Sequence, residues 1–306
     1  MRTSIQGIHM YIPWRLSPAR HLDPRFCAIA NPLSSDPLSS IQASCFSADE
    51  EAAARAYYEL HGWVHIRSFL SATEVDELQA AADALERTAS SLEMSASVDG
   101  VYCEVQSASG RKGEAAVYPG ALRKLTRPSS SSQAFASLRS HTRLLALLTS
   151  VCGLTAPRCV TDQLSCKPAK VGTGFPWHQD AGFLVGDARR SLLRHGGANV
   201  ALALDPSNGS NGGFEVLGGT HALGSVKDLK GRYDTGGADD DEALFDQSQR
   251  TCPKLLPSDA LIFHPLLAHG SAANRSGRRR RLATLWFVGS AFPEDEAEAQ
   301  RSRGSR

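Results

Sequence analysis

An imidazole and a carboxylate stand two residues apart in Phe175-Pro176-Trp177-His178-Gln179-Asp180. On an extended strand, side chains at this spacing point to one face. One ring nitrogen and one carboxylate oxygen can then grip a single metal ion. A third ligand has to come from elsewhere in the chain. His269, in Phe263-His264-Pro265-Leu266-Leu267-Ala268-His269-Gly270-Ser271, is the candidate. Two histidines and one carboxylate make the facial donor set of non-haem Fe(II) oxygenases, which leaves three coordination positions open. A 2-oxo acid takes two of them and dioxygen the third. Taken singly these signals are weak, because a lone His-x-Asp is most often a pair of solvated side chains. His9, His65 and His141 have no carboxylate at such a spacing. His264 is off the strand face of His269 and reads as structural. His221, in Gly218-Gly219-Thr220-His221, reads as a turn residue.

A dicarboxylate co-substrate also needs a cation for its far end. A guanidinium suits this, because its planar fork pairs both carboxylate oxygens. Arg280 is placed to supply it, on the apolar run toward Leu282 and Trp286. It belongs to the run Arg278 to Arg281, whose competing reading is a nucleic-acid or import patch. Alternation sends Arg278 and Arg280 to one face and Arg279 and Arg281 to the other.

Several elements must position these groups. Residues 1–46 carry five prolines and no apolar period, and read as an extension, disordered or targeting. Ser47-Ala48-Asp49-Glu50 and Ser71-Ala72-Thr73-Glu74 match capping boxes that open helices. Trp63 to Ile66 reads as a short strand between them. The second helix places Val75, Leu78, Ala82 and Leu85 at helical spacing. A loop-rich region follows, up to the serines 129–132. A helix is expected over Leu138 to Val151, burying Leu144, Leu145, Leu147 and Leu148. Beyond residue 155 the apolar runs 159–165, 199–204, 214–217, 259–263 and 282–288 are split by glycine turns. Helices first and short strands later predict an α+β domain, residues 47–292, around a β-sandwich or jelly roll. Residues 231–246 read as a solvated insertion, and 293–306 as a charged tail.

The composition narrows the classes. The net charge is +1, so no global field draws the chain to nucleic acid or to an anionic membrane. No apolar run reaches the length of a transmembrane helix. Seven cysteines, without a C-x-x-C pair, argue against a disulfide framework or a cysteine zinc site. They read as reduced thiols in an intracellular compartment, cytoplasmic or organellar, with peroxisome and mitochondrion both open. Cys152, Cys159 and Cys166 read as small apolar core residues.

These residues resemble the phytanoyl-CoA dioxygenase family. The likeness is carried by Trp177-His178-Gln179-Asp180 and by Asn211-Gly212-Gly213-Phe214 through Gly218-Gly219-Thr220-His221. Phe263 to Ser271, Asn274, Ser276, Arg280 and, upstream, Tyr57 to Ile66 complete it. It runs from about residue 50 to residue 290. The resemblance implies a double-stranded β-helix, a cupin-like jelly roll flanked by N-terminal helices. It implies Fe(II) on His178, Asp180 and His269, with 2-oxoglutarate as co-substrate and ascorbate as a reductant. By position, Arg280 and Ser271 would hold the 2-oxoglutarate carboxylate. Gln163 and Lys167 match a strand that lines the co-substrate pocket in relatives, and Lys124 is a further basic candidate. Asp180 implies hydroxylation rather than halogenation, because halogenating relatives keep a small residue there.

The family's namesake substrate is an acyl-CoA hydroxylated at carbon 2. Small metabolites and natural products fit the same residues. A CoA thioester would need basic side chains near the pocket mouth, such as Arg189, Arg190 and Arg194, which otherwise read as a solvated loop. The segment Arg15-Leu16 to His21-Leu22 is one residue shorter than the family's peroxisomal signal. Two rivals are a non-catalytic jelly-roll binding module and a cupin-type metal isomerase or hydrolase, which would not need Arg280.

Overall fold

A computed structural model describes residues 44–109, 113–184, 186–224 and 250–292. The readings made for residues 1–43, for 231–246 and for 293–306 lie outside the described residues. The strands are β1 (Cys45–Phe46), β2 (Trp63–Ile66), β3 (Ala96–Val98), β4 (Val101–Val105), β5 (Leu122–Thr126), β6 (Arg158–Lys167) and β7 (Phe175–His178), followed by β8 (Gly197–Ala203), β9 (Glu215–Leu217), β10 (Arg250–Thr251), β11 (Ala260–Phe263), β12 (His269–Ser271) and β13 (Arg280–Val288). The helices are α1 (Glu51–His61), α2 (Ala72–Thr88), α3 (Gln133–Leu138), α4 (Thr142–Cys152) and α5 (Gly186–His195).

One sheet runs β1-β2-β11-β8-β13-β6-β5-β4-β3 and a smaller one β10-β9-β12-β7. This is the expected α+β jelly roll. The central strands β8 and β11 of the large sheet are buried on both faces. Val200 and Leu202 of β8 join Ile262 and Leu285 in the core that also holds Tyr58, Leu78 and Leu148 of the helices. Ala201 and Ala203 face the other way, with Leu261, Phe263, Phe214 and Val216, between the sheets. Burial on both faces explains why the run 199–204 shows no alternation.

The helix signals came out unevenly. Ser71 and Glu74 form a true capping box: Glu74 N–H donates to Ser71 Oγ at 3.2 Å, and Ser71 N–H to Glu74 Oε2 at 2.8 Å. The box expected at Ser47 does not cap α1. Ser47 N–H and hydroxyl both donate to Glu50 Oε2, but the helix starts at Glu51 and its N-cap, Glu50, makes no capping side-chain bond. Gly62 ends α1 with φ +76°, its N–H returning to Tyr58 O at 2.7 Å. The helix expected over 138–151 is two helices. His141 separates them and caps α4 by accepting Leu144 N–H on Nδ1. Leu144, Leu147 and Leu148 are buried there, whereas Leu145 is only partly so. Arg189, Arg190 and Arg194, whose competing reading is a solvated loop, stand on α5.

The region read as loop-rich holds the meander β3-β4-β5, which extends the large sheet. Asp99 and Gly100, at φ +49° and +81°, turn between β3 and β4. Asp-Gly is a strong hairpin signal. Glu104, Arg123 and Lys124 nevertheless break the apolar pattern of the two strands that follow it.

Alternation on β13 sorts the arginine run as expected. Arg281 points to the helix side, where Asp205 and Asp83 hold it at 2.9 and 2.6 Å. Arg279 pairs there with Asp83 and Glu86. Arg280 points between the sheets and is 2% exposed. The import-patch reading therefore loses two of its four charges to α2 and Asp205.

The loop before β9 closes tightly on this interior. Gly212 has φ +71°, and a Cβ there would lie 2.5 Å from Ala272 O and 3.0 Å from Lys167 Nζ. Gly212→Ala is expected to destabilise the fold by about 1–3 kcal/mol, from the strained backbone and the crowding together. Chemical denaturation of the two proteins checks this; equal midpoints would contradict it.

Candidate metal centre and its pocket

Strand β7 ends at His178, and Asp180 opens a short 3-10 turn, Asp180–Phe183. The alternation expected across 178–180 nevertheless holds, because Gln179 between them is extended at φ −116°, ψ 126°. Its side chain is buried on the other side, where Nε2 donates to Leu266 O at 2.6 Å. Strand β12 pairs antiparallel with β7, with His269 opposite His178. That register brings the distant third residue to the first two.

The three side chains converge. His178 Nε2 lies 3.5 Å from Asp180 Oδ1, and His269 Nε2 lies 3.6 Å from Asp180 Oδ2. One ligand atom from each residue falls within 4.8 Å of the others. Each imidazole has a backbone carbonyl beside Nδ1: Pro176 O at 2.7 Å for His178 and Leu267 O at 2.9 Å for His269. Donation to those carbonyls puts the proton on Nδ1 and the free lone pair on Nε2, toward Asp180. His269 packs against Phe214, stacked at 5.1 Å, and Phe263 at 4.8 Å, and those two rings also touch each other at 4.9 Å.

Electrostatics suit a cation. Burial pushes His269 down to about 4, so its ring is neutral. Burial opposes the charge on Asp180, but His269, His178 and Asn199 outweigh it and hold the carboxyl below its ordinary value. Burial also opposes charge on His178, and the Asp180 hydrogen bond and charge outweigh it and raise that imidazole. An ionised carboxylate beside two imidazoles is a donor set for a divalent metal.

Beyond this trio the large sheet offers a polar wall. Register places Lys167 opposite Arg280, Ser165 opposite Leu282 and Gln163 opposite Thr284 on β6 and β13. Lys167, Ser165 and Gln163 thus share the interior face with Arg280. Lys167 is fully buried; its Nζ donates to Ser271 Oγ at 2.7 Å and to Ala272 O. Arg280 donates through Nη2 to Gly212 O, and its buried Nε has no partner. Neither cation has a carboxylate within salt-bridge distance among the described residues. Burial pushes Arg280 down to about 10. Burial, then the charges of Arg280 and Arg123, push Lys167 down to about 6. Lys124 is tied instead to Glu104 at 3.5 Å, a carboxylate that Arg123 also holds at 2.6 Å.

The Lys167 shift has a direct consequence. Lysine ordinarily titrates near 10.4. Between roughly pH 6 and 10 the unfolded chain carries this proton and the folded protein does not. Stability therefore rises with pH across that window, by up to about 1.4 kcal/mol per pH unit from this group, and the contribution is lost as pH falls through 6. Lys167→Met is expected to flatten the rise. Denaturation midpoints at several pH values check it, and parallel profiles would refute it.

The histidines set aside from the chemistry have structural partners. His65 meets Asp259 at 2.9 Å, and His141 meets Glu74 at 2.9 Å. His264 Nδ1 accepts Leu266 N–H, and His221 lies by Glu59 O on the turn Thr220–Leu223. The six described cysteines are all free thiols. Cys159 and Cys166 lie buried in β6 and Cys152 at the end of α4, as expected of core residues. Sequence reasoning missed Asn199, whose Nδ2 donates to Asp180 Oδ2. Its one signal was a polar residue inside an apolar run.

A His-x-Asp pair and a distant histidine on paired strands of a jelly roll make the donor set of a non-haem iron oxygenase. The family model for phytanoyl-CoA dioxygenase matches residues 58–282, and the chain belongs to that family of Fe(II)- and 2-oxoglutarate-dependent dioxygenases. Solved structures share the fold. EctD from S. alaskensis, with 2-oxoglutarate and 5-hydroxyectoine, is 20% identical at TM-score 0.60, covering 80% of this chain and 78% of EctD. SnoK, a non-heme alpha ketoglutarate dependent carbocyclase from nogalamycin biosynthesis, is 17% identical at TM-score 0.58, covering 80% and 86%. AviO1 from Streptomyces viridochromogenes Tue57 is 18% identical at TM-score 0.56, covering 80% and 97%. A search of curated protein sequences found no match. Among the described residues no helix is long and apolar enough to cross a membrane.

Proposed function

We propose that residues 47–292 form a hydroxylase domain that binds Fe(II) through His178, Asp180 and His269 and inserts oxygen into an unactivated C–H bond of a small molecule. The observation that carries this reading is the convergence of those three residues beside a buried guanidinium and a buried lysine, neither with a carboxylate partner among the described residues. The unpartnered Arg280 Nε and the depressed Lys167 fit a dicarboxylate such as 2-oxoglutarate. Arg280 offers its fork to the far carboxylate, and Ser271, already held by Lys167, adds a hydroxyl. Lys167 then regains its proton, so saturating 2-oxoglutarate flattens the pH dependence of stability described above. Gln163 faces the same wall. Lys124, held by Glu104, has a weaker claim.

When bound, iron and 2-oxoglutarate supply the oxidising chemistry, consuming dioxygen and yielding succinate, carbon dioxide and one oxygen atom for the substrate. The chain's own part is geometric and electrostatic. His178 and His269 aim neutral Nε2 atoms at one point, and Asp180 supplies a compensating negative charge. Phe214 and Phe263 fix the His269 ring and keep water from its far side.

For the substrate, carbon 2 of a branched acyl-CoA is the family's namesake choice. Arg189, Arg190 and Arg194 lie together on α5, close in sequence to the Asp180 turn, where a CoA phosphate would find them. The second reading is a small metabolite or natural product, favoured by the fold shared with SnoK and EctD. The test is succinate release from 2-oxoglutarate with Fe(II) and ascorbate, with His178→Ala as control. A mass-spectrometric screen of acyl-CoAs and extracted metabolites for a gain of one oxygen would follow. Wild-type protein that releases no more succinate than the control with any of those substrates would refute the reading.

A further inference from the structure

The two oxygens of Asp180 have different surroundings. Oδ2 accepts a hydrogen bond from Asn199 Nδ2. Oδ2 also has His269 Nε2 at 3.6 Å, whereas among the described residues Oδ1 has His178 Nε2 at 3.5 Å and no hydrogen-bond donor behind it. Asn199 sits on β8, 4% exposed, in register between Phe263 of β11 and Trp286 of β13. The rest of that strand is Gly, Ala, Val and Leu. An amide is an expensive occupant of such a place, and here it is only half satisfied: its Oδ1 is buried with no partner. Turning the amide over would set that oxygen against the carboxylate. Asp180 therefore dictates its orientation.

Carboxylates bind metals through one oxygen or through both. With both, Asp180 and two imidazoles would take one more position of an octahedron, and a chelating 2-oxo acid and dioxygen could not both be seated. We propose that Asn199 is a positioning residue: by occupying Oδ2 it restricts Asp180 to ligation through Oδ1 and preserves a third open position, so that the 2-oxo acid and dioxygen can both be seated. This rests on the reading of His178, Asp180 and His269 as metal ligands.

The test uses Co(II), which reports its coordination number in its visible absorption. Full-length wild type, Asn199→Leu and Asn199→Ser are titrated with Co(II), then with 2-oxoglutarate. Leucine keeps the volume without a donor, and serine stays polar but is too short to reach Oδ2. Both are expected to bind Co(II) within a few-fold of wild type, with an altered absorption spectrum. Loaded instead with Fe(II) and 2-oxoglutarate, both are expected to bind nitric oxide, a surrogate for dioxygen, on the order of 10-fold or more weakly than wild type. A merely structural role would weaken Co(II) uptake first and leave nitric oxide affinity of the loaded protein unchanged, which would overturn the proposal. Circular dichroism identifies the folded variants, and either one decides the outcome. If both misfold, Asn199 is a folding residue and the proposal falls. Wild type that takes up no Co(II) overturns the metal reading itself. Wild type that does, beside variants with unchanged spectra and nitric oxide affinity, overturns this inference alone.

Discussion

Arg280→Met is expected to make the cofactor-free protein more stable and the enzyme nearly useless. The guanidinium is 2% exposed, and among the described residues no carboxylate pairs with it. Its Nε has no partner, and burial has lowered its pKa to about 10. A buried charge without an ionic partner is a standing destabilisation. Replacing such groups by apolar residues of similar volume has often been neutral or stabilising by about 1–4 kcal/mol. For a chain of this size, each kcal/mol moves the melting temperature by roughly 2–4 °C. The same guanidinium is the best bidentate partner for the far carboxylate of 2-oxoglutarate. Two charge-assisted hydrogen bonds contribute about 3–6 kcal/mol together, so affinity should fall 100-fold or more. Arg280→Lys keeps the charge without the fork and should recover little of it. Calorimetry of the free protein and 2-oxoglutarate titration check the two halves. A melting temperature several degrees lower would show the guanidinium to be a structural group and not one held ready for an anion.

His269→Ala is expected to abolish activity and ferrous iron uptake together. His178 and Asp180 lie two residues apart, at the end of one strand, and form half of the cage. His269 closes it from β12. Without it the remaining pair grips a metal from one side only. The rate of succinate formation should drop by at least roughly 1,000-fold, a loss of about 4 kcal/mol of transition-state stabilisation. The neighbours make the imidazole's absence visible in another way. Phe214 and Phe263 pack directly on that ring, and alanine leaves a gap beside them. Wild-type turnover by the variant, or undiminished iron uptake, would remove His269 from the site.

The metal trio was legible because its local half obeys a short-range rule. The alternation of extended backbone aligned His178 with Asp180 even though the strand stops before Asp180. The same rule separated Arg280 from Arg279 and Arg281. The meander β3-β4-β5 was not legible, because Glu104, Arg123 and Lys124 interrupt the apolar pattern that marks a strand. The break at His141 was hidden for a similar reason. A histidine accepting Leu144 N–H is an uncommon cap, and nothing in the order of residues announces it.

Residue order alone therefore carried what period and turn chemistry encode: an α+β domain of sandwich or jelly-roll type, the capping box at Ser71 and the shared face of His178 and Asp180. Only the folded chain decided that Lys167 lies beside Arg280, that Lys124 is taken by Glu104 and that Asn199 stands behind Asp180. Those relations join strands far apart in sequence. They are set by which strands pair, and in which register, and a register depends on burial summed over a whole sheet face, a quantity that no short window of residues contains.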